Sequence, residues 1–378
     1  MADLKSWINY GDEMRRPLVI NPNLADSSKV VIVGGGLSGM CIAYRLSVKR
    51  PDLEIVLLEQ KESLGGVIAT WKDGEWICDL AVNATRPHPA FWRLVDDLGL
   101  SSSFKQSNRS ARSRWIYLGN KKHRLSFFTI FKLGLLKTLK SIKKSHSGGF
   151  SVAQLIPHKE IADALTLGIV NDTAENVDAD FLMPSLTKFG PNPPLKKSKL
   201  NKKILQSYPI FTPVKGSIAS LDGGMVTLTK ALEEKLHECK NVTIKLNQTA
   251  QSFESISTQF GIPESSIIWS APGLQDDYEF TELSIFVIGF KEKDVSNIEI
   301  GYGTLIPDAT IPISGILHES DLHNSKRCPK GHRLFRLMVP HNRWDGEEET
   351  VLVHAKKLLG NENVLFSKIG ERRIPSYK

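Results

Sequence analysis

Three glycines at GxGxxG spacing, Gly34, Gly36 and Gly39 in "VVIVGGGLSGM", are the residues whose types and spacing most clearly imply chemistry. That chemistry is the holding of phosphates. Gly34 permits a tight turn, Gly36 lets backbone approach a pyrophosphate, and Gly39 lets a helix pack closely on the preceding strand. Glu59 stands twenty residues past Gly39. An acid there accepts hydrogen bonds from a ribose diol and repels a 2′-phosphate, which argues against NADP. Leu64-Gly65-Gly66 follows five to seven residues later. An NAD site has no need of a glycine pair at that point. FAD reaches past the second strand and needs backbone without side chains along its ribityl and flavin; an ordinary turn is the competing reading.

These residues need a particular frame. "VVIV" is a continuous β-branched run, as in a parallel strand buried on both faces. "MCIAYRLSVKR" repeats apolar residues at helical spacing, and free N–H groups at that helix start would face the phosphates. "EIVLLE" supplies a second strand ending at Glu59, and "ATWKDGEWICDL" reads as a hairpin. Further on, "SLDGGMVTLTKALEEKLHEC" reads as a Gly-marked turn into an amphipathic helix, "NVTIKL" as an alternating strand, and "SSIIWSAPG" as a buried strand with a Pro-Gly turn.

At 378 residues and 41% apolar, the chain can bury a sizeable core in two or three subdomains. Its longest apolar run, Leu283 to Phe290, is too short to span a bilayer. The first 28 residues read as neither a signal peptide nor a transit peptide. Four scattered cysteines, Cys41, Cys78, Cys239 and Cys328, read as reduced thiols, and no metal cluster is expected. The charge is regional. Gly99 to Lys159 holds thirteen Lys or Arg and no acid, more than the whole chain's net +8, so the remainder is net acidic. In "SFFTIFKLGLLKTLKSIKK", Phe128, Phe131, Leu135, Leu139 and Ile142 recur at i+3/i+4 among Lys132, Lys137, Lys140, Lys143 and Lys144. Such a helix suits an anionic membrane surface, with a core-packed soluble helix as the alternative. Nucleic acid is a poorer partner, since no aromatic stacking pattern accompanies the cations.

The blocks "VVIVGGGLSGMCIAYRLS", "IVLLEQKESLGGVIAT", "SRWIYLGNKKHRL", "SIASLDGGMVTLTKALEEKL", "IIWSAPG", "GYGTLIPDATIPISGILHESD" and "RRIPSY" occur in the order found in the protoporphyrinogen oxidase family. From about Lys29 to Tyr377 the chain resembles that family of the flavin amine oxidase-like superfamily. The resemblance implies an α/β and α+β protein. Its Rossmann-like FAD-binding domain would occupy 29–110 and 216–274, after an N-terminal tail at 1–28. A helical membrane-binding region would span 111–215 and an antiparallel-sheet substrate domain 275–370, with 371–378 left over. It implies FAD-dependent oxidation of protoporphyrinogen IX to protoporphyrin IX, with oxygen re-oxidising the flavin, in haem biosynthesis. The implied location is peripheral, on the mitochondrial inner membrane, and leaves room for a homodimer and for contact with ferrochelatase.

The flavin would carry the redox step, so no catalytic side chain is expected. The family pattern implies cofactor contacts at Gly34, Gly35, Gly36, Leu37, Ser38, Gly39, Glu59, Gln60, Gly65, Gly66, Val67, Ala81, Val82, Asn83, Ala84 and Ala250. It places Arg114 at a propionate, where a guanidinium can grip a carboxylate with two hydrogen bonds. Tyr302, Leu305, Leu317 and Leu337 would line the macrocycle slot. The chain departs from the pattern at Ala81-Val82, where the family has Gly-Pro under the flavin, and at Val339-Pro340, where it has a glycine pair. The family also continues past "IPSY" with a tryptophan-bearing segment, a strand and a Gly-rich turn into a helix over the cofactor. The expectation is weak FAD retention and low activity in a form without that segment. Another oxidoreductase of the superfamily, or a non-catalytic protein of the same fold, are the alternatives.

Overall fold

The computed structural model describes residues 24–119 except 25 and 87, 121–125, 140, 144, 148–182 except 157, 210–272 except 212, 215 and 216, and 279–375. In chain order its strands are β1 (Lys29–Val33), β2 (Glu54–Leu58), β3 (Thr70–Asp73), β4 (Trp76–Asp79), β5 (Phe104–Gln106), β6 (Arg114–Leu118), β7 (Lys121–Arg124), β8 (Ala219–Leu221), β9 (Val242–Lys245), β10 (Ile267–Trp269), β11 (Phe280–Lys291), β12 (Gly303–Leu305), β13 (Gly315–Leu317), β14 (His332–Pro340) and β15 (Asn363–Pro375). The helices are α1 (Leu37–Lys49), α2 (Pro89–Asp97), α3 (Val152–Leu155), α4 (Lys159–Val170), α5 (Ala179–Leu182), α6 (Val226–Glu238), α7 (Phe253–Phe260), α8 (Glu319–Leu322) and α9 (Glu348–Leu359). The chain divides into one unit of Met1–Trp71, Asp79–Gln106 and Leu195–Asp276, and another of Lys72–Cys78, Ser107–Pro194 and Asp277–Lys378.

In the first unit a four-stranded parallel sheet runs in the order β10-β1-β2-β9. Side chains alternate across it. Val30, Ile32, Ile55 and Leu57 join Met40, Ala43 and Leu46 of α1 and Leu228, Leu232 and Leu236 of α6 in one core. Val31, Val33, Val56 and Leu58 face the other way, into a cluster with Ile256 of α7 and Ile262. Both faces are covered, which is why the strands read as continuous apolar runs. The i, i+4, i+8 leucines of α6 are all fully buried, each contributing about 1.5–3 kcal/mol.

The second unit is built on a seven-stranded sheet in the order β15-β11-β14-β13-β12-β6-β7. Its pairs are antiparallel except β12 with β6. Phe286, Ile288, Phe335 and Leu337 of this sheet are buried with Val351, Ala355 and Leu359 of α9. Residues 114–124, expected inside a helical region, are instead strands β6 and β7 of the sheet. The helical expectation fails there because Arg114–Leu118 finds its partner in β12, far along the chain. Helices α3, α4 and α5 do form, around Val152, Leu155, Ala162, Val170 and Ala179. The basic amphipathic segment 126–144 lies outside the described residues save Lys140 and Lys144, as does 183–209. Among the described residues no helix is long and apolar enough to cross a membrane. Residues 371–375 continue β15 along β11.

Candidate functional site

Strand β1 ends at Val33 and the chain turns through Gly34, whose φ is 104°. The Gly34 N–H donates to Leu58 O at 2.8 Å, tying the turn to β2. Glu59, only 6% exposed, closes the other side. Its Oε2 accepts the Gly35 N–H at 2.8 Å and its Oε1 accepts the Lys61 N–H at 2.9 Å. Each carboxylate oxygen keeps a lone pair for one ribose hydroxyl. The second glycine pair abuts the first: Gly65 N–H donates to Gly35 O at 2.9 Å, and Gly65 pairs with Gly36.

Most of these glycines are required by the protein itself. A Cβ on Gly39 would strike Gly34 O, and one on Gly35 would strike Leu64 and Glu59. Gly34, Gly65 and Gly66 have positive φ, and a Cβ on Gly66 would approach Gly36 Cα to 2.9 Å. Gly36 differs. Its φ is −71°, and the nearest atom to a Cβ there, Gly66 Cα, is 3.8 Å away. The fold leaves room for a side chain that the sequence withholds. Gly36 is also the N-cap of α1, which has no side-chain cap and no acid in its first turn. That is the arrangement of an anion site, backbone N–H groups at the positive end of a helix with space in front.

The other expected cofactor positions sort by place. Leu37 packs on the core beside the turn, while Ser38, Gln60 and Val67 are exposed around it. Ala81, Val82, Asn83 and Ala84 are half-buried. Val82 packs against the core. Asn83 Nδ2 is buried with no hydrogen-bond partner, a donor that a bound group could satisfy. Ala250 packs with Phe253 and Trp269 against the core on the other face of the sheet. It follows Gln248, whose N–H donates to Glu59 O at 2.9 Å. The cradle, the acid and the second glycine pair thus come together, and they fit FAD. Bound there, FAD would supply a two-electron acceptor; Gly34–Gly39 and the α1 start would hold its pyrophosphate, and Glu59 its ribose.

Sequence reasoning missed Thr70 and Asp79. Asp79 is fully buried, and its Oδ1 accepts the Thr70 hydroxyl at 2.6 Å and the Met225 N–H at 2.7 Å. The signal was faint, a single acid in the apolar run "WICDL".

In the second unit the Arg114 guanidinium lies over the Tyr302 ring, 4.3 Å from its centroid. Tyr302 is fixed by its N–H, which donates to Ser113 O, and by its carbonyl, which accepts the His318 N–H. Gly303 pairs with both Arg114 and Leu317, and Leu317 pairs with Arg336. Paired residues share a face and successive ones alternate, so Arg114, Leu305, Leu317 and Arg336 lie on one face. Helix α4 meets that face closely through Gly168, where a Cβ would come 2.6 Å from Leu305 Cδ2. Leu337 pairs with Ile316, not Leu317. It therefore points to the opposite face, fully buried in the α9 core. The expectation that Leu337 lines the same slot is corrected: the register makes it a core residue.

The two units, one a parallel α/β cradle with two abutting glycine turns and the other a mixed seven-stranded sheet, have the fold of solved oxidases, among them a putrescine oxidase variant with a TM-score of 0.58 at 12% identity, covering 93% of this chain and 89% of that one. Residues 32–98 match the family model of the NAD(P)-binding Rossmann-like domain. The chain is similar to protoporphyrinogen oxidase 1 of Arabidopsis thaliana, 30% identical over 112 residues, 28% of this chain and 21% of that protein. It therefore matches about a fifth of that relative's length. It is 21% identical over 334 residues to coproporphyrinogen III oxidase of Staphylococcus aureus, 74% of this chain and 71% of that one. A solved structure assigned as a protoporphyrinogen oxidase, from Exiguobacterium sp. 255-15, shares the fold with a TM-score of 0.61 at 16% identity, covering 93% of this chain and 88% of that one.

Proposed function

We propose that this chain is an FAD-dependent oxidoreductase acting on a porphyrinogen, with protoporphyrinogen IX as substrate and oxygen as the final acceptor. The observation that carries the cofactor is the open Gly36 position before the uncapped α1 start. The substrate reading is supported by Arg114 over Tyr302, on the same sheet face as apolar Leu305 and Leu317. A guanidinium stacked on an aromatic ring beside an apolar strip suits a flat apolar macrocycle bearing propionates. Arg114 would orient the substrate, and the leucines would exclude water from its rings.

The test starts with the bound nucleotide, released by heat and identified by chromatography. FAD supports the reading, and NAD overturns it. Protoporphyrinogen IX is then supplied and porphyrin fluorescence followed. Arg114 is exposed, so Arg114→Ala should raise KM by about fivefold or less, an exposed charged pair contributing up to about 1 kcal/mol, and should leave flavin content unchanged. Loss of flavin instead would make Arg114 structural. The similarity to a coproporphyrinogen III oxidase favours a second reading, a macrocycle with four propionates. Offering both substrates to the same preparation separates the two. Peripheral attachment to an anionic membrane, that of the mitochondrial inner membrane, completes the proposal; the anionic surface rests on the basic segment of the sequence and the mitochondrial address on the family resemblance.

A further inference from the structure

We propose that Thr70 and Asp79 are positioning residues for FAD, a relay of one half-buried hydroxyl and one buried carboxylate that sets the far arm of the cradle; the inference rests on the FAD reading above. The Val226 N–H donates to Thr70 Oγ1 at 3.2 Å, and the Thr70 hydroxyl donates in turn to Asp79 Oδ1 at 2.6 Å. The same Oδ1 accepts the Met225 N–H at 2.7 Å. Helix α6 has no cap of its own and no acid in its first turn. Its cap comes from a hairpin distant in sequence, and a carboxylate there also opposes the helix dipole favourably.

Three further contacts tie the relay to the rest of the cradle. Gly224, with φ of 94°, lacks a Cβ where Thr70 and Asp79 already sit. One turn into α6, Thr229 lies 3.4 Å from where a Gly65 Cβ would stand. Leu80 N–H donates to Ala69 O at 2.9 Å, closing the base from which Val67 and Ala81–Ala84 diverge. The relay thus fixes the start of α6, the backing of Gly65, and the departure of the segment that holds the unpartnered Asn83 Nδ2. None of its members needs to touch the cofactor.

The experiment compares Thr70→Val, Thr70→Ser and Asp79→Asn in the full chain. FAD affinity is read by quenching of flavin fluorescence on FAD-free protein, and the melting temperature of that same FAD-free protein is read beside it. Thr70→Val keeps the shape and deletes the hydroxyl, so FAD should bind roughly tenfold more weakly, in line with loss of one cap. The folded protein should persist, Thr70→Ser should bind as the wild type does, and Asp79→Asn should bind no better than Thr70→Val. A Thr70→Val protein with a lowered melting temperature but wild-type FAD affinity overturns the proposal, and so does failure of Thr70→Ser to restore binding. Should the wild-type chain bind no FAD, the cofactor reading fails first and takes this inference with it. Should Asp79→Asn not fold, the two threonine variants decide alone.

Discussion

Glu59 accepts the Gly35 amide through Oε2 at 2.8 Å, so the acid expected to hold a ribose is also the pin of the glycine turn. Its second oxygen pins Lys61. Glu59→Ala should therefore act twice. It leaves a buried amide unpaired, at a cost of about 1–3 kcal/mol, and it removes the ribose acceptor. Melting of FAD-free protein and FAD titration should both shift; an unchanged melting temperature would leave Glu59 a ribose contact alone.

Gly36 and Gly39 should part company on substitution to alanine. A Cβ on Gly36 fits the ligand-free protein and a Cβ on Gly39 does not. Gly36→Ala should melt within a few degrees of wild type, a surface-sized change of about 0.5 kcal/mol or less, yet fail to retain FAD. Gly39→Ala should lose stability with or without the cofactor. Full FAD occupancy in purified Gly36→Ala would remove the main support for a pyrophosphate at that position.

The cradle was legible because its signals are local. β1, α1 and β2 follow one another, and the run "VVIV", the glycine spacing and Glu59 all lie within one βαβ stretch. What stayed hidden was decided by pairing at a distance. Nothing in "RWIYL" says that its neighbour is Gly303–Leu305. Leu317 and Leu337 look alike in sequence, and only the β13–β14 register sends them to opposite faces. Asp79 reads as one acid in a hairpin until α6 arrives with Met225 and Val226.

Arg343 clamps the β12–β13 connection. Its Nε donates to Ile311 O at 2.8 Å, its Nη1 to Ile306 O at 3.2 Å, and its Nη2 to the carbonyls of Asp308 and Ile313 as well. Burial pushes its pKa down to about 10, with Asp308 partly opposing, so it stays charged at neutral pH. Lysine cannot reproduce this fork. Arg343→Lys should raise hydrogen exchange across residues 306–313 and cost about 1–3 kcal/mol for the carbonyls left unpaired. Unchanged exchange there would show the loop to be held by its own turns.

Acid should weaken the second unit in two stages. Burial holds the His318 pKa below its ordinary value of 6.5, outweighing the pull of Asp321. Folding therefore favours the neutral ring. Its contribution is present above pH 6.5 and is lost as pH falls below it. Glu319 follows. Burial raises its pKa, but Arg336, His323 and Arg327 together prevail and hold it at about 2. Its ion pair with Arg336 Nε at 3.3 Å and its contact with His323 Nε2 at 3.1 Å stabilise the fold above the ordinary 4.5 and fade as pH drops toward 2. Melting temperatures measured from pH 7 to 3 should show both declines, and His318→Gln should flatten the first. A wild-type curve flat between pH 6.5 and 5 would contradict the assignment.

Membrane attachment has its own test. Reversing Lys137, Lys140 and Lys144 to Glu should reduce co-sedimentation with anionic vesicles, since each cation near such a surface contributes about 1 kcal/mol. Equal sedimentation of the triple variant would return the segment to an ordinary soluble role.

The pairing of distant strands has a consequence for how the chain reaches this structure. Val31 lies beside Ile267, and Arg114 beside Gly303. On a ribosome, the early strand of each unit emerges long before its neighbour exists. Both β1 and β6 must wait with one edge open, and loop closure over such spans precedes any reward from contact. Refolding should be slow and concentration-sensitive, and during synthesis those waiting edges are what a chaperone would need to shield.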